Sequence, residues 1–509
     1  MGMDAALSVA IGGLANINRD LAVVSQNVSN ANTPGYVREI ANQLELSVGG
    51  QGMGVVSGPA TRALNVQQQA DLFTQNATVS GLDVRQKALA SIDQVMGSPG
   101  QGNDLAGLLG KIQDGFSALL ANPDSQSGQA QIISATQNFA GKLNIVAVAV
   151  GAGRTQAQGA ILSDLASLNA AIATVGTQTQ QIMSAKAAGI STADLENQRD
   201  VGLAQISGLI DARFLVQNNG DIKAITPSGL SINFAPGASS FATQSATMAP
   251  MVYYPGGGVP AITMNGVDVT SQLAGSGSLG GNIDVRDNIM PGLQAGLDEV
   301  AQTISTRFQV QGLTLFTQPD GTVPVGGGVP PQSTYLGYAN AITVNPAVHA
   351  TPSLVRDGTN AIVGSATGAS AFTPNPVGGP AGFSVLITRA IQFALGTQAQ
   401  PGIAQVPPNT NGLGPQGNLV GPFGAGGSVV TMAGALVASE ARLSGAVSAS
   451  TATEQAVQTS LQARLAQGSS VNIDTELSTM VQLQNAYGAN ARVISALQAM
   501  WAQLLQSVR

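Results

Sequence analysis

Residues whose type and spacing would serve catalysis are few, and they do not gather into a reaction centre. Histidine occurs once, as His349 in NPAVHATPS. A catalytic or metal-bound histidine needs a second ligand or an acid–base partner. None is near it in sequence, so His349 reads as a loop residue without a catalytic role. Asp284 and Asp287 in IDVRD are paired carboxylates, but pairing with Arg286 or capping the next helix is their expected use. GLLGKI, ending at Lys111 and Ile112, approaches a phosphate loop. It lacks the first glycine at the right spacing and the Ser or Thr after the lysine. GxSxG and HExxH are both missing. Asn27-Val28-Ser29 and Asn76-Ala77-Thr78 match glycosylation sequons, yet both fall in predicted helices and read as chance. Cysteine is absent, which removes disulfides and thiolate metal sites. No catalytic residue, cofactor or metal ligand is therefore expected, and the chain does not read as an enzyme.

The informative spacing is apolar and lies at the two ends. Near the C-terminus Ile473, Leu477, Met480, Gln484, Tyr487, Ala491, Ile494, Gln498, Trp501, Leu505 and Val508 step by alternating fours and threes. Leu7, Ile11, Leu14, Asn18, Leu21, Ser25 and Val28 repeat the pattern near the N-terminus. This is coiled-coil spacing. Asn18, Gln484 and Gln498 admit two readings: edge positions facing water, or buried polar positions that fix register at a cost in stability. Trp501 reads as an interface anchor. Two seams more than 400 residues apart imply a chain that returns on itself and closes its ends together.

Composition agrees with a self-associating protein. The 509 residues predict two to four domains. Hydrophobic residues make up 44% but charged ones only 9%, against roughly 25% in ordinary globular proteins. The surface must be built from Gln, Asn, Ser, Thr and backbone, which suits lateral packing against copies of itself. A net charge of −7 with 20 scattered basic residues argues against nucleic acid. MGMDAALSVA lacks a basic n-region, is a weak myristoylation site, and no run of 18 apolar residues occurs. Neither a cleaved signal nor membrane insertion is expected.

The elements that position the seams follow from pattern and punctuation. Residues 4–31 read as one amphipathic helix, with Asn32 as its C-terminal cap and Pro34-Gly35 central in a type II turn. Residues 39–57 read as strand or extended hairpin. From 66 to about 192 the reading is helical with short breaks, including a helix that ends at Asn122-Pro123 and a long one over 127–184. A further helix runs from Thr192 to Ile210. Together they predict a helical bundle or long antiparallel coiled coil. Phe214 to Phe234 alternates around Asn219-Gly220, a hairpin signal. Extended segments continue to about Leu279, and one helix returns over 291–309 with Pro at its first turn. Residues 317–430 are rich in Gly and Pro, with β-like pieces at 341–344 and at 383–387 (FSVLI). From Thr431 the chain is helical, broken around Gln467–Ser469. No fixed-period repeat appears, which argues against a solenoid.

The expected fold class is α+β multidomain: long coiled-coil-like terminal helices, a helical rod domain and β-rich outer parts. Four parts are expected: 1–60 with 470–509 as a terminal helical domain, and 61–211 with 280–316 and 431–469 as a helical rod domain. The others are 212–279 as a β-rich segment and 317–430 as a Gly/Pro-rich outer region.

Residues 14–39, LANINRDLAVVSQNVSNANTPGYVRE, resemble the signature of bacterial flagellar axial proteins, the rod, hook and hook-associated subunits. The core of that signature is Ala31, Asn32, Thr33, Pro34, Gly35 and Tyr36. Residues 471–505, with QNAYGANARVI, resemble their closing helix. Two internal stretches are similar to the hook-associated protein 1 family: one around Asn197, Gln198, Arg199 and Asp200, the other around Arg286, Asp287 and Asn288. The resemblance covers both ends and much of 66–310 and is weak over 317–430. After Phe308, QVQGLTLF departs from the family's His- and Gly-containing stretch.

The resemblance implies a non-enzymatic subunit at the junction of hook and filament. It implies export unfolded through a type III apparatus, assembly with copies of itself in a helical lattice, and terminal helices lining a central channel. Implied partners are the hook protein, hook-associated protein 3 on the filament side and a cytoplasmic chaperone at the C-terminal helix. The implied location is extracellular, on the flagellum. Another axial subunit, hook or distal rod, shares the terminal motifs, but the NQRD and VRDN stretches favour the junction. An enzyme carried on the outer region is disfavoured by its Gly- and Pro-rich composition and the lone histidine. The terminal helices, each with one stripe to bury, are expected to form only when neighbours supply more surface.

Overall fold

A computed structural model describes residues 3–48, 51–424 and 426–507. The chain leaves and returns along the same axis. Helix α1 (Met3–Asn30) leads into an antiparallel hairpin, β1 (Glu39–Val48) and β2 (Gln51–Arg62). The turn between helix and hairpin is as expected: the Tyr36 amide donates to the Thr33 carbonyl at 3.2 Å, and Gly35 takes φ +80. Helices α2 (Val66–Met96), α3 (Leu105–Ala121), α4 (Gln126–Ala187) and α5 (Ala193–Leu209) follow. Short polar side chains set their starts: Asn65, Asp104 and Ser125 each accept a backbone N–H of the first turn.

The long α4, 62 residues and roughly 93 Å at helical rise, is the spine of the body. Its buried positions recur at threes and fours from Gln129 to Ile182 and enter two cores in turn. By length and composition α1 and α4 are apolar enough to cross a bilayer, but the apolar positions of α4 are used inside these cores. One core joins its first half to α2, α3 and the later helix α8 (Met290–Gln309) through Phe116, Phe139, Phe308 and Phe316, whose ring centroids lie 5.8–6.0 Å apart. The other core joins its second half to α5 and the small sheets.

Those sheets are three-stranded meanders. One is β3 (Arg213–Val216), β4 (Ile222–Ile225) and β5 (Ser231–Asn233); the other is β6 (Phe241–Ala242), β7 (Thr263–Met264) and β8 (Val267–Asp268). The hairpin expected around Asn219-Gly220 is β3–β4, with Gly220 at φ +93. The extended reading to Leu279 is corrected. Helix α6 occupies Thr270–Leu273, and α7 (Gly277–Asp284) runs through a π-helical turn, Val285–Ile289, into α8. A Cβ on Gly281 would stand 2.7 Å from the Gly81 carbonyl. These glycines let α7 lie directly on α2, a packing cue that a strand-or-loop reading of Gly-rich sequence misses.

Among its described residues the outer region holds only two- and three-residue strands: β9 (Phe316–Thr317) with β10 (Thr343–Val344), and β11 (Gln398–Gln400) with β12 (Ile403–Ala404). Between them lie helices α9 (Tyr338–Ala341), α10 (Pro346–Ala350), α11 (Leu354–Asp357) and α12 (Val385–Arg389). The β-like reading of FSVLI is therefore corrected to helix. Leu386, Ile387, Ala390 and Ala394 recur at helical spacing and are buried in one core, a period too long to show in five residues.

The chain closes with α13 (Val429–Ser469), capped by Ser428, and α14 (Ile473–Ser507). The break falls at Ser470–Asn472, three residues later than expected. There the Ser469 carbonyl accepts the Arg38 amide at 2.8 Å, and the Asn472 side chain accepts the Thr475 amide.

Candidate assembly interface

The two ends do meet. Helices α1 and α14 pack antiparallel: Asn27 bonds Glu476, and a Cβ on Gly13 would stand 3.0 Å from the Asn490 amide. The face of α1 turned inward is Ala10, Ile17, Val24 and Asn27, one side round from the expected seam. Leu7, Leu14, Leu21 and Val28 are half-buried, and Ile11 is 54% exposed. On α14 only Glu476 and Leu497 are buried, while Met480 and Ile494 are half-buried. The expected seam residues Ile473, Leu477, Tyr487, Trp501 and Leu505 are exposed, Leu505 to 62%. Asn18, Gln484 and Gln498 face outward too. Val508 lies outside the described residues. Within one chain, then, the C-terminal seam is largely uncovered.

A buried polar clamp holds the near end of this lobe. The Asn27 amide, 1% exposed, donates to the Glu39 carbonyl at 2.9 Å and to Glu476 at 3.3 Å. Its oxygen accepts the Glu39 amide at 2.9 Å and the Tyr36 hydroxyl at 3.0 Å. Arg38 donates to Glu476, also 1% exposed, at 2.5 Å. Burial raises the Glu39 carboxyl above the usual carboxylate range, helped by Asp194 and opposed by Arg62. Burial, then the Glu39 charge, raises the Tyr36 phenol as well and keeps it a donor. In the axial-family motif Asn32, Thr33, Pro34 and Gly35 are exposed while Ala31 and Tyr36 are half-buried. The motif makes the turn that delivers Tyr36, Arg38 and Glu39 to Asn27.

The family-specific stretches are ties between elements. Asn197 donates to the Val37 carbonyl at 3.1 Å, and Arg62 at the root of β2 grips Glu196 and Asp200 at 3.1 and 2.6 Å. Arg199 donates to the Gly220 carbonyl, and Gln198 stays outside on Asp194. Arg286 is fully buried, bidentate to Asp287 and bonded to Gln158 of α4 at 2.7 Å. Asp284 departs from the expected pairing and bonds Arg85 at 2.7 Å, while Asn288 bonds Asp284.

His349 is exposed on α10. Among the described residues no cluster of His, Asp and Glu is placed to hold a metal. Sequence reasoning missed Asn27, set aside as a sequon, and the carboxylates Asp298 and Glu299 buried on α8. Burial pushes Asp298 up to about 7, and it accepts the backbone amides of Gly337 and Ala339. Through these bonds the carboxyl fixes the loop that leads into α9.

Three family models match successive parts of the chain. Residues 7–36 match the flagella basal body rod protein, 89–322 the flagellar hook-associated protein FlgK helical domain, and 462–507 the flagellar basal body rod FlgEFG protein C-terminal. Flagellar hook-associated protein 1 of Escherichia coli is 22% identical over 99% of this chain and 100% of its own. That of Salmonella typhimurium is 22% identical over 61% of this chain, and the chain spans only 56% of that relative's length. A solved flagellar hook junction protein from Burkholderia pseudomallei gives a TM-score of 0.41 at 20% identity, over 50% of this chain and 45% of its own. The N-terminal helix with its turn motif, the closing helix and the helical body between are each matched in chain order, and along its length the chain is similar to the hook-associated protein 1 family of flagellar axial structural proteins.

Proposed function

We propose that this chain is the subunit joining hook to filament, exported by the type III route and assembled extracellularly in a helical lattice of its own copies. It acts without catalysis, between the hook protein and hook-associated protein 3, and a cytoplasmic chaperone covers the C-terminal helix before export. The lobe formed by 1–60 with 470–509 is the inner, channel-lining part; the helical rod domain and the parts at 212–279 and 317–430 lie outside it.

The observation that carries this reading is the uncovered apolar stripe of α14, from Ile473 to Leu505, on a helix that α1 covers on one side only. Exposed apolar surface of that length marks a contact with other chains. Deleting the gene is expected to leave hooks intact and to release flagellin into the medium as monomer. Loss of hooks would instead favour a hook or distal-rod subunit. The free subunit is also expected to have unformed ends, so brief protease treatment should trim both termini back to the helical body. Survival of both ends would overturn that part.

A further inference from the structure

We propose that the β1–β2 arm of one copy docks along the free edge of β3 in the next copy, with Glu45 against Arg213, so that copies join head to tail. The inference rests on the self-assembly proposed above and names the surfaces that meet. β3 pairs only with β4, and all four of its residues line a cleft of about 470 Å³ shared with α2 and α5. Leu215 and Val216 are 51% and 52% exposed there.

In a chain of net charge −7, this one cleft gathers Arg62, Lys186, Arg199 and Arg213. Arg62 and Lys186 are engaged by Glu196 and Asp200. Arg199 is 2% exposed with no partner for its Nε. Arg213 is exposed and feels the charge of Asp211 two residues away, but it makes no ion pair among the described residues. An open strand edge, exposed apolar side chains and an exposed cation outside any ion pair together fit an extended strand that carries an acid between apolar residues.

The arm has that chemistry. Leu44 and Leu46 flank Glu45 on β1, both leucines are exposed, and Val56 stands opposite Leu44. Glu45 is exposed and has no ion pair among the described residues. The arm is a two-stranded sheet in which β2 lies against α1 and β1 pairs with no strand other than β2 among the described residues. It cannot swing into its own cleft, because Asn16 holds the Val55 carbonyl at 2.7 Å and Asp20 accepts from Gln43 at 2.7 Å. The occupant is therefore a second copy. Repeated head to tail, the contact propagates from copy to copy; a reciprocal pair would stop at a dimer, so multiples beyond the dimer are its signature.

The chain contains no cysteine, so Glu45→Cys with Arg213→Cys installs a single reporter pair. Hook–filament structures isolated from cells carrying this double variant are blotted for the chain, then run without reductant. The expected result is a ladder of dimers and higher multiples that collapses on reduction. Incorporation without a ladder overturns the docking and leaves the junction reading standing; absence of even the unmodified chain from those structures sinks the junction reading. As an independent readout, Glu45→Arg and Arg213→Glu should each shrink swimming rings severalfold, and the two together should restore at least half the diameter. Single variants that swim normally, or a pair no better than either single, overturn the docking.

Discussion

On the proposed junction role, replacing Asn27 by alanine is expected to empty the junction of this chain while leaving its export intact. Asn27 satisfies four groups at once: the Glu39 amide and carbonyl, the Tyr36 hydroxyl and the Glu476 carboxylate. Truncation strips all four, and the bonds to Glu39 and Glu476 are buried, where a polar group left unpaired costs about 1–3 kcal/mol. Some will find water or relax, so a net loss of about 3 kcal/mol is reasonable for the assembled lobe. That is on the order of a hundredfold in its folding equilibrium. The measurable outcome is at least a tenfold drop of the chain in isolated hook–filament structures, flagellin in the medium, and undiminished secretion of the variant itself. Asn18→Ala, on the exposed side of the same helix, should behave as wild type. Equal retention of the two variants would dismiss the clamp.

The contrast between Asn18 and Asn27 also shows what sequence could and could not reveal. Periodicity placed both terminal helices, because fours and threes of apolar residues have no other economical use. It could not say which flank of the stripe meets α14, since Leu7, Leu14 and Leu21 differ from Ala10, Ile17 and Val24 by less than a turn. A small inward residue such as Ala10 or Gly13 signals close approach only once the opposite helix is known. Asn27 looked like an accident of spelling because its partners lie 9, 12 and 449 residues away. A faint signal did exist: in a chain with 9% charged residues, Arg38 and Glu39 directly after the turn motif are conspicuous. The NQRD stretch was legible only by resemblance, and its physical meaning needed Arg62, an unremarked strand end. In the outer region the sequence offered Gly and Pro, which mark turns but not partners. The short helices there are fixed by tertiary bonds such as Asn144 to the Ala339 carbonyl and Arg389 to the Gln311 carbonyl.

The helical body should weaken as pH rises, and Glu440 should carry much of the effect. Glu440 on α13 is 2% exposed and faces Asp93 of α2, which also accepts from Ser444 one turn along. Among the described residues no basic group offsets the two acids: Arg442 turns back to the Ala438 carbonyl, while Lys87 and Arg85 on α2 are bound to Asp83 and Asp284. Burial, then the bond and charge of Asp93, push the Glu440 carboxyl from 4.5 up to about 8. A carboxyl raised on folding stabilises the fold fully below its unfolded value, and that contribution is withdrawn as pH climbs through the folded one. The loss therefore falls between about pH 4.5 and 8 and is complete only above it. After allowance for water entering as the helices part, it amounts to on the order of 3 kcal/mol. Glu440→Gln keeps the shape and a neutral hydrogen-bonding group but cannot ionise. Calorimetry of the full chain should show the wild-type melting temperature falling by about 3 °C more than the variant's between pH 5 and 9. Other buried carboxyls such as Asp298 add a slope common to both proteins, so the difference between the curves isolates this pair. Parallel curves would mean that Glu440 stays ionised against Asp93, and the α2–α13 contact would then owe nothing to its proton.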